Sequence, residues 1–174
     1  MKYGVPEATA GLIPAMLPFG TIFLTPFFGG IYDKYGNGAT LMLIGSALLT
    51  LVHIIFALPL NSWIVAIIVM VVLGIAFGLV PSAMWPSVPK IIPIKLLGTA
   101  YALIFYIQNI GLALVPVWIG KVNQSNTQAD GIINYTPSMT IFACFGIISI
   151  IISCLLILED KQKGYGLQSP NIKK

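Results

Sequence analysis

Charge is what this sequence has least of. Only 8% of its 174 residues are charged, nine lysines against five acids, and arginine is missing altogether. A soluble domain carries roughly 25% charged residues and needs them to cover a wetted surface. A soluble enzyme or a nucleic-acid reader is therefore excluded as a class. Disorder is excluded by the opposite measure, since disordered chains are poor in apolar residues and here 57% are hydrophobic, with a mean hydropathy of +0.95. Cysteine is scarce too. Cys144 and Cys154 stand ten residues apart on one expected helix, about 15 Å of axial rise and beyond disulfide reach. Two thiols make no metal site, so both are expected to be packing residues. There is no phosphate loop, zinc spacing, nucleophile elbow or catalytic triad. No enzyme activity, cofactor or metal is implied.

The few charges are unevenly placed. None falls between Glu7 and Asp33, Lys34 and Lys90, Lys95 and Lys121, or Asp130 and Glu159. A bilayer-spanning helix needs about 20 apolar residues, so each gap holds one span and the Lys34–Lys90 gap holds two. The expected fold class is an all-α membrane protein, a polytopic transmembrane helix bundle with five spans. They lie at about 9–31, 39–57, 63–92, 97–119 and 137–158, followed by a polar tail at 159–174. The first span is too long for a signal-peptide apolar region, and Lys2 is a weak basic flank. A membrane helix tolerates its Pro14, Pro18 and Pro26 when neighbours satisfy the freed carbonyls. Pro59-Leu60-Asn61-Ser62 predicts a tight turn, with Asn61 or Ser62 capping the next helix. Pro81, Pro86 and Pro89 are expected to interrupt the third span, and the tail, with Gly164, Gly166 and Pro170, to be disordered.

Orientation follows from lysines near the span ends. Lys34, Lys90, Lys95, Lys161, Lys163, Lys173 and Lys174 share one side, against Lys2 and Lys121 on the other. This predicts a multi-pass protein of a cell (inner) membrane with a cytoplasmic carboxyl terminus. The lipid bilayer is its first partner, and the tail lysines suit anionic headgroups. The patterns at Asn123-Gln124-Ser125 and Asn134-Tyr135-Thr136 fit glycosylation acceptors but are expected to be chance.

The sharpest local string is Gly29-Gly30-Ile31-Tyr32-Asp33-Lys34-Tyr35-Gly36-Asn37, between the first two spans. Gly29 permits close helix approach, and Gly36 and Gly38 suit a tight turn between antiparallel helices. The order of Gly29, Asp33, Lys34 and Gly36 resembles the loop signature of the major facilitator superfamily, while Asn37 departs from it where a second basic residue is usual. The resemblance implies that these four residues serve a gate, the acid pairing with the opposite half of a transporter. The alternative is a solvated turn that anchors two helices to the headgroups.

The third span holds Gly74-Ile-Ala-Phe-Gly78, a small-xxx-small pattern for close helix contact, then Pro81-Ser82-Ala83-Met84-Trp85-Pro86-Ser87-Val88-Pro89. With Leu97-Gly98-Thr99-Ala100-Tyr101 and Ile107-Gln108-Asn109-Ile110-Gly111-Leu112-Ala113 in the fourth span, these strings resemble the lysosomal dipeptide transporter branch of that superfamily and its bacterial relatives. The resemblance covers helices eight to twelve of a twelve-helix transporter. It implies a missing amino-terminal half or a partner chain, because alternating access needs two bundles around a shared site.

Amides in mid-span must face protein or water, since burial without a partner costs several kcal/mol. Tyr101, Phe105, Gln108 and Leu112 follow three- and four-residue steps and form one stripe, beside Tyr106 and Asn109. The functional reading is a cavity wall for a small polar solute, dipeptides among the candidates. Its expected contact residues are Thr21, Ser82, Trp85, Tyr101, Tyr106, Gln108 and Asn109. The plain reading is interhelical glue. His53, the single histidine, falls on an expected peripheral helix and reads as structural. The spans hold no buried acid, which leaves no obvious proton relay in this chain. A second hypothesis is a small, non-transporting membrane protein or half-subunit that assembles with partner chains.

Overall fold

The computed structural model describes residues 12–60, 62–129 and 131–172. Lys2, Glu7, Thr9, Asn61, Asp130, Lys173 and Lys174, which carried parts of the span, cap and orientation expectations, lie outside the described residues. The helices are α1 (Leu12–Tyr35), α2 (Gly38–Ala57), α3 (Trp63–Ile91), α4 (Leu97–Ser125) and α5 (Thr136–Lys163), with a 3-10 turn at Ile94–Leu96 leading into α4. Among the described residues extended structure is limited to one isolated bridge, Thr127 to Ile133. The chain is an all-α membrane protein in class. Among the described residues four helices, α2 to α5, can cross a membrane by length and composition. That is one fewer than the five spans expected. The difference is α1, whose 24 residues include side chains outside the described set.

The helices pack in the order α1, α3, α2, α5, with α3 lying along both α1 and α2. Small residues allow this. Helix α2 turns Ala39, Met42, Ser46 and Thr50 inward at three- and four-residue steps, and α5 buries Ala143, Gly146 and Ser153. Lipid tails are as apolar as leucine, so helices associate through close backbone approach and interhelical hydrogen bonds. Ser46 supplies such a bond. It is 1% exposed, and its Oγ lies 2.7 Å from Ser149 Oγ and 3.4 Å from Ser153 Oγ. Interhelical hydrogen bonds in membranes average about 0.6 kcal/mol with a maximum near 1.7. Ser46→Ala is therefore expected to destabilise the protein by about 1 kcal/mol, read as a lower SDS fraction at the unfolding midpoint. An unchanged midpoint would remove the serine cluster from the energetics of this seam.

The glycines divide between those that touch a neighbour and those that do not. A Cβ on Gly45 would lie 2.7 Å from Val80 Cγ2, and one on Gly78 3.2 Å from Leu24 Cβ, so α2 and α1 both approach α3 closely. Gly29 and Gly74 were expected to serve the same purpose, yet among the described residues nothing from another helix lies within 4 Å of a Cβ on either. Spacing shows where a close approach is permitted, while the partner helix decides where it occurs.

Three further expectations are corrected. Helix α3 is not interrupted: it runs unbroken through Pro81, Pro86 and Pro89, as membrane helices can when other groups serve the freed carbonyls. The cysteines are not packed inside, since Cys144 and Cys154 are both exposed on α5. Over its described residues the tail is not disordered. Gly164, with φ 67°, closes α5, and residues 165–172 fold back across the α1–α2 turn. Leu167 is fully buried in a cluster with Ala39, Met42 and Ala83. The tail's glycines place left-handed turns, at Gly164 and Gly166, instead of loosening the chain.

Candidate functional site

Two regions gather the residues singled out in the sequence, one between α3 and α4 and one at the α1–α2 turn.

The first begins with a proline. Pro89 has no N–H, so the carbonyl of Trp85 four residues earlier loses its helical donor. The hydroxyl of Tyr101 on α4 supplies one, donating to Trp85 O at 3.2 Å. Aromatic rings close around this bond. The Trp85 ring stacks on Phe105 with centroids 4.9 Å apart and tilts against Tyr101 at 5.8 Å. Trp85 is half-buried, and Phe105 is half-exposed. The structure thus joins Trp85 and Tyr101 and adds Phe105, which the candidate list omitted. Its signal was its place one turn from Tyr101 on the same stripe.

The other candidates stand apart from this clamp. Ser82 is buried and donates to Leu79 O within its own helix, at 2.8 Å. Thr21 is half-buried on α1. Tyr106 and Gln108 are exposed on α4, and none of α4 is buried. Asn109 is exposed as well, and its Nδ2 donates to Phe105 O one turn back, at 2.8 Å. Its hydrogen bond is therefore local and not interhelical. On α2, His53 Nδ1 donates to Leu49 O at 2.7 Å, and its ring lies 5.3 Å from that of Phe142.

The second region is the turn that carries Gly29, Asp33, Lys34 and Gly36. Gly36 ends α1 in the left-handed region with φ 76°, its N–H donating to Tyr32 O. Asn37 is also left-handed, with φ 62°. Asparagine enters that region more readily than other side-chain-bearing residues, which accounts for it where a basic residue is usual. Lys34 is exposed, with Nζ 5.2 Å from the Tyr35 ring. Asp33 points to the tail: its Oδ1 accepts from Asn171 Nδ2 at 2.7 Å, and its backbone carbonyl accepts from the N–H groups of Asn171 and Ile172.

Beneath the turn, Tyr32 is fully buried. The Ser87 hydroxyl donates to Ala83 O at 2.7 Å, so in the 3.1 Å contact between Tyr32 and Ser87 the tyrosine is the donor. Lys90 Nζ sits 4.8 Å from the Tyr32 ring centroid and donates to Gly166 O and Ser169 O. The sequence marked Lys90 only as an orienting charge, and its cage became legible only with the tail in place.

Residues 1–170 match the family model of the Major Facilitator Superfamily. The lysosomal dipeptide transporter MFSD1 of Homo sapiens is 31% identical over 125 residues, 71% of this chain and 26% of that protein. The Mus musculus MFSD1 is 28% identical over 165 residues, 94% of this chain and 33% of its own length. That of Gallus gallus is 35% identical over 100 residues, 57% of this chain and 22% of its length. The chain thus spans between about a fifth and a third of the length of these relatives. No solved structure matches it at a significant level. Long apolar helices, the glycine–acid–glycine turn and the match along nearly the whole chain agree, and the chain belongs to the Major Facilitator Superfamily.

Proposed function

We propose that this chain forms one bundle of a transporter that moves a small polar solute across a cell membrane by alternating access, with dipeptides the first substrate class to test. One observation carries the reading: α4 is a membrane-length helix with no part of it buried, yet it holds the amides Gln108 and Asn109 within two turns of the clamp residues Tyr101 and Phe105. Lipid is a poor solvent for amides, so such a face suits a water-filled cavity shared with a second bundle. That bundle comes from further sequence or from a partner chain. In the cavity Gln108 offers donors and an acceptor to the solute, and Trp85 with Phe105 packs its side chain. The Tyr101 hydroxyl serves Trp85 O and so places the clamp. Thr21, Ser82, Tyr106 and Asn109 complete the proposed lining, with Gly29, Asp33, Lys34 and Gly36 at the gate. The lysine distribution supports a cytoplasmic carboxyl terminus in the inner membrane of a cell. The similarity to lysosomal dipeptide transporters supports the choice of solute.

The test is uptake by source cells lacking the gene and complemented with wild type, Gln108→Ala or Trp85→Ala, over panels of dipeptides, sugars and organic acids. One lost hydrogen bond is worth about 1–1.5 kcal/mol, so Gln108→Ala is expected to raise the half-saturating concentration about tenfold. Trp85→Ala, which removes the ring that Phe105 stacks on, is expected to abolish most uptake. Wild-type uptake by both variants at wild-type membrane levels would remove the clamp and its amide from the site.

A further inference from the structure

We propose that residues 165–172 are a releasable strap that locks the α1–α2 turn, so that the Asp33 carboxylate is available to another helix only when Asn171 lets go. The strap engages the turn at every level. Leu167 O and Gln168 O accept the N–H groups of Gly38 and Asn37 at 2.9 and 3.0 Å. These donors lie at the start of α2, where no side chain caps the helix and the first N–H groups have no acceptor within it. Lys90 clasps the strap from α3, and Gln168 Nε2 donates to Thr40 Oγ1 at 2.8 Å. Asp160 Oδ1 accepts the Leu167 N–H at 3.0 Å and fixes the strap's exit from α5. The last contact is Asn171 Nδ2 on Asp33 Oδ1, at the exposed edge.

The same contacts make the strap separable from the bundle. Only Leu167 within it is buried, with Tyr165 packed partly buried against the same cluster, and the rest of its hold is hydrogen bonding at a half-exposed surface. Gln168 Oε1 is buried without a partner, a penalty that release to water removes. Segments with few buried apolar contacts open independently of a protein's core. Among the described residues the seam between α2 and α5 leaves no buried side-chain polar atom unpaired. A lock on the glycine–acid turn within its own bundle competes with any partner that the opposite bundle offers Asp33. That consequence for gating rests on the transporter reading, while the lock itself does not.

The test uses the full chain in lipid nanodiscs with no solute present, so it can fail while the uptake experiment succeeds, and the reverse. Wild type, Asn171→Ala, Asn171→Asp and a chain ending at Gly164 are compared by two readouts. These are carbodiimide labelling of Asp33 and amide exchange at Asn37 and Gly38. Asn171→Ala is expected to raise Asp33 labelling several-fold. Asn171→Asp, which sets a second carboxylate against Asp33, should raise it at least as far. The shortened chain should exchange Asn37 and Gly38 about tenfold faster, with amides of the α2–α5 seam unchanged. Labelling that stays at the wild-type rate in the Asn171 variants overturns the proposal. So does a shortened chain whose seam amides open too, since the segment would then be part of the core.

Discussion

Gly146→Leu is expected to drive α2 and α5 apart and leave little folded protein in the membrane. The position has no room for a side chain: a Cβ there would run into Thr50 Oγ1 and lie 3.0 Å from Thr50 Cα. The second of these atoms is backbone, so no rotamer change relieves it. Thr50 is itself held, being buried with its hydroxyl donating to Ser46 O. Overpacking a well-filled site costs about 1–3 kcal/mol and sometimes more. A leucine against backbone at the central seam belongs at or above the top of that range. Gly74→Ala is the contrast, since that glycine is buried but has nothing within 4 Å of its Cβ. There the helix propensity of alanine over glycine, up to about 1 kcal/mol in soluble hosts, should leave the protein unharmed or slightly stabilised. Thermal unfolding followed by size-exclusion chromatography in detergent separates the two. Equal melting of both variants would show that the seam is looser than its geometry.

Gly36→Ala should have the next largest effect, and it falls on the strap. The residue sits at φ 76°, where an L side chain costs about 1–2 kcal/mol. Its Cβ would meet Gln168 O and lie 2.7 Å from both Pro170 N and Ser169 C. Backbone strain and collision together amount to about 3 kcal/mol, enough to dislodge residues 165–172 and expose them to protease. Gly36→Asn distinguishes the causes. Asparagine tolerates the left-handed region but still carries the Cβ. If collision dominates, both variants are clipped in the tail at similar rates, with α2 and α5 intact. An asparagine variant as resistant as wild type would assign the effect to backbone strain alone.

The sequence was most legible where lipid leaves few options. The long uncharged runs from Lys34 to Lys90, Lys95 to Lys121 and Asp130 to Glu159 must be helical where they cross a bilayer, which offers no water to unpaired backbone. The Gly36–Gly38 turn was legible for a related reason, since a left-handed position next to a helix end selects glycine. Partner choice was harder to read. Gly74 and Gly78 are equivalent as a pattern, but Leu24 stands opposite only Gly78. Tyr101 read as a solute contact because its spacing put it on the stripe. Nothing in the spacing showed that Pro89 had left a carbonyl for its hydroxyl to fill. Polarity and glycine content alone predict a disordered tail. A single leucine, Leu167, and a run of backbone acceptors suffice to order it.

The proline-freed carbonyl of Trp85 also has a mechanical side. Pro81, Pro86 and Pro89 each remove a rung from the ladder of α3, so the stretch around Trp85 is where that helix flexes most easily. Among the described residues the donor to Trp85 O from outside α3 is Tyr101, on α4. Bending at this hinge therefore pulls on Tyr101, and a tilt of α4 pulls on the hinge. With Phe105 stacked on the Trp85 ring just beyond, whatever rests against those rings is coupled by a short lever to the curvature of a neighbouring helix.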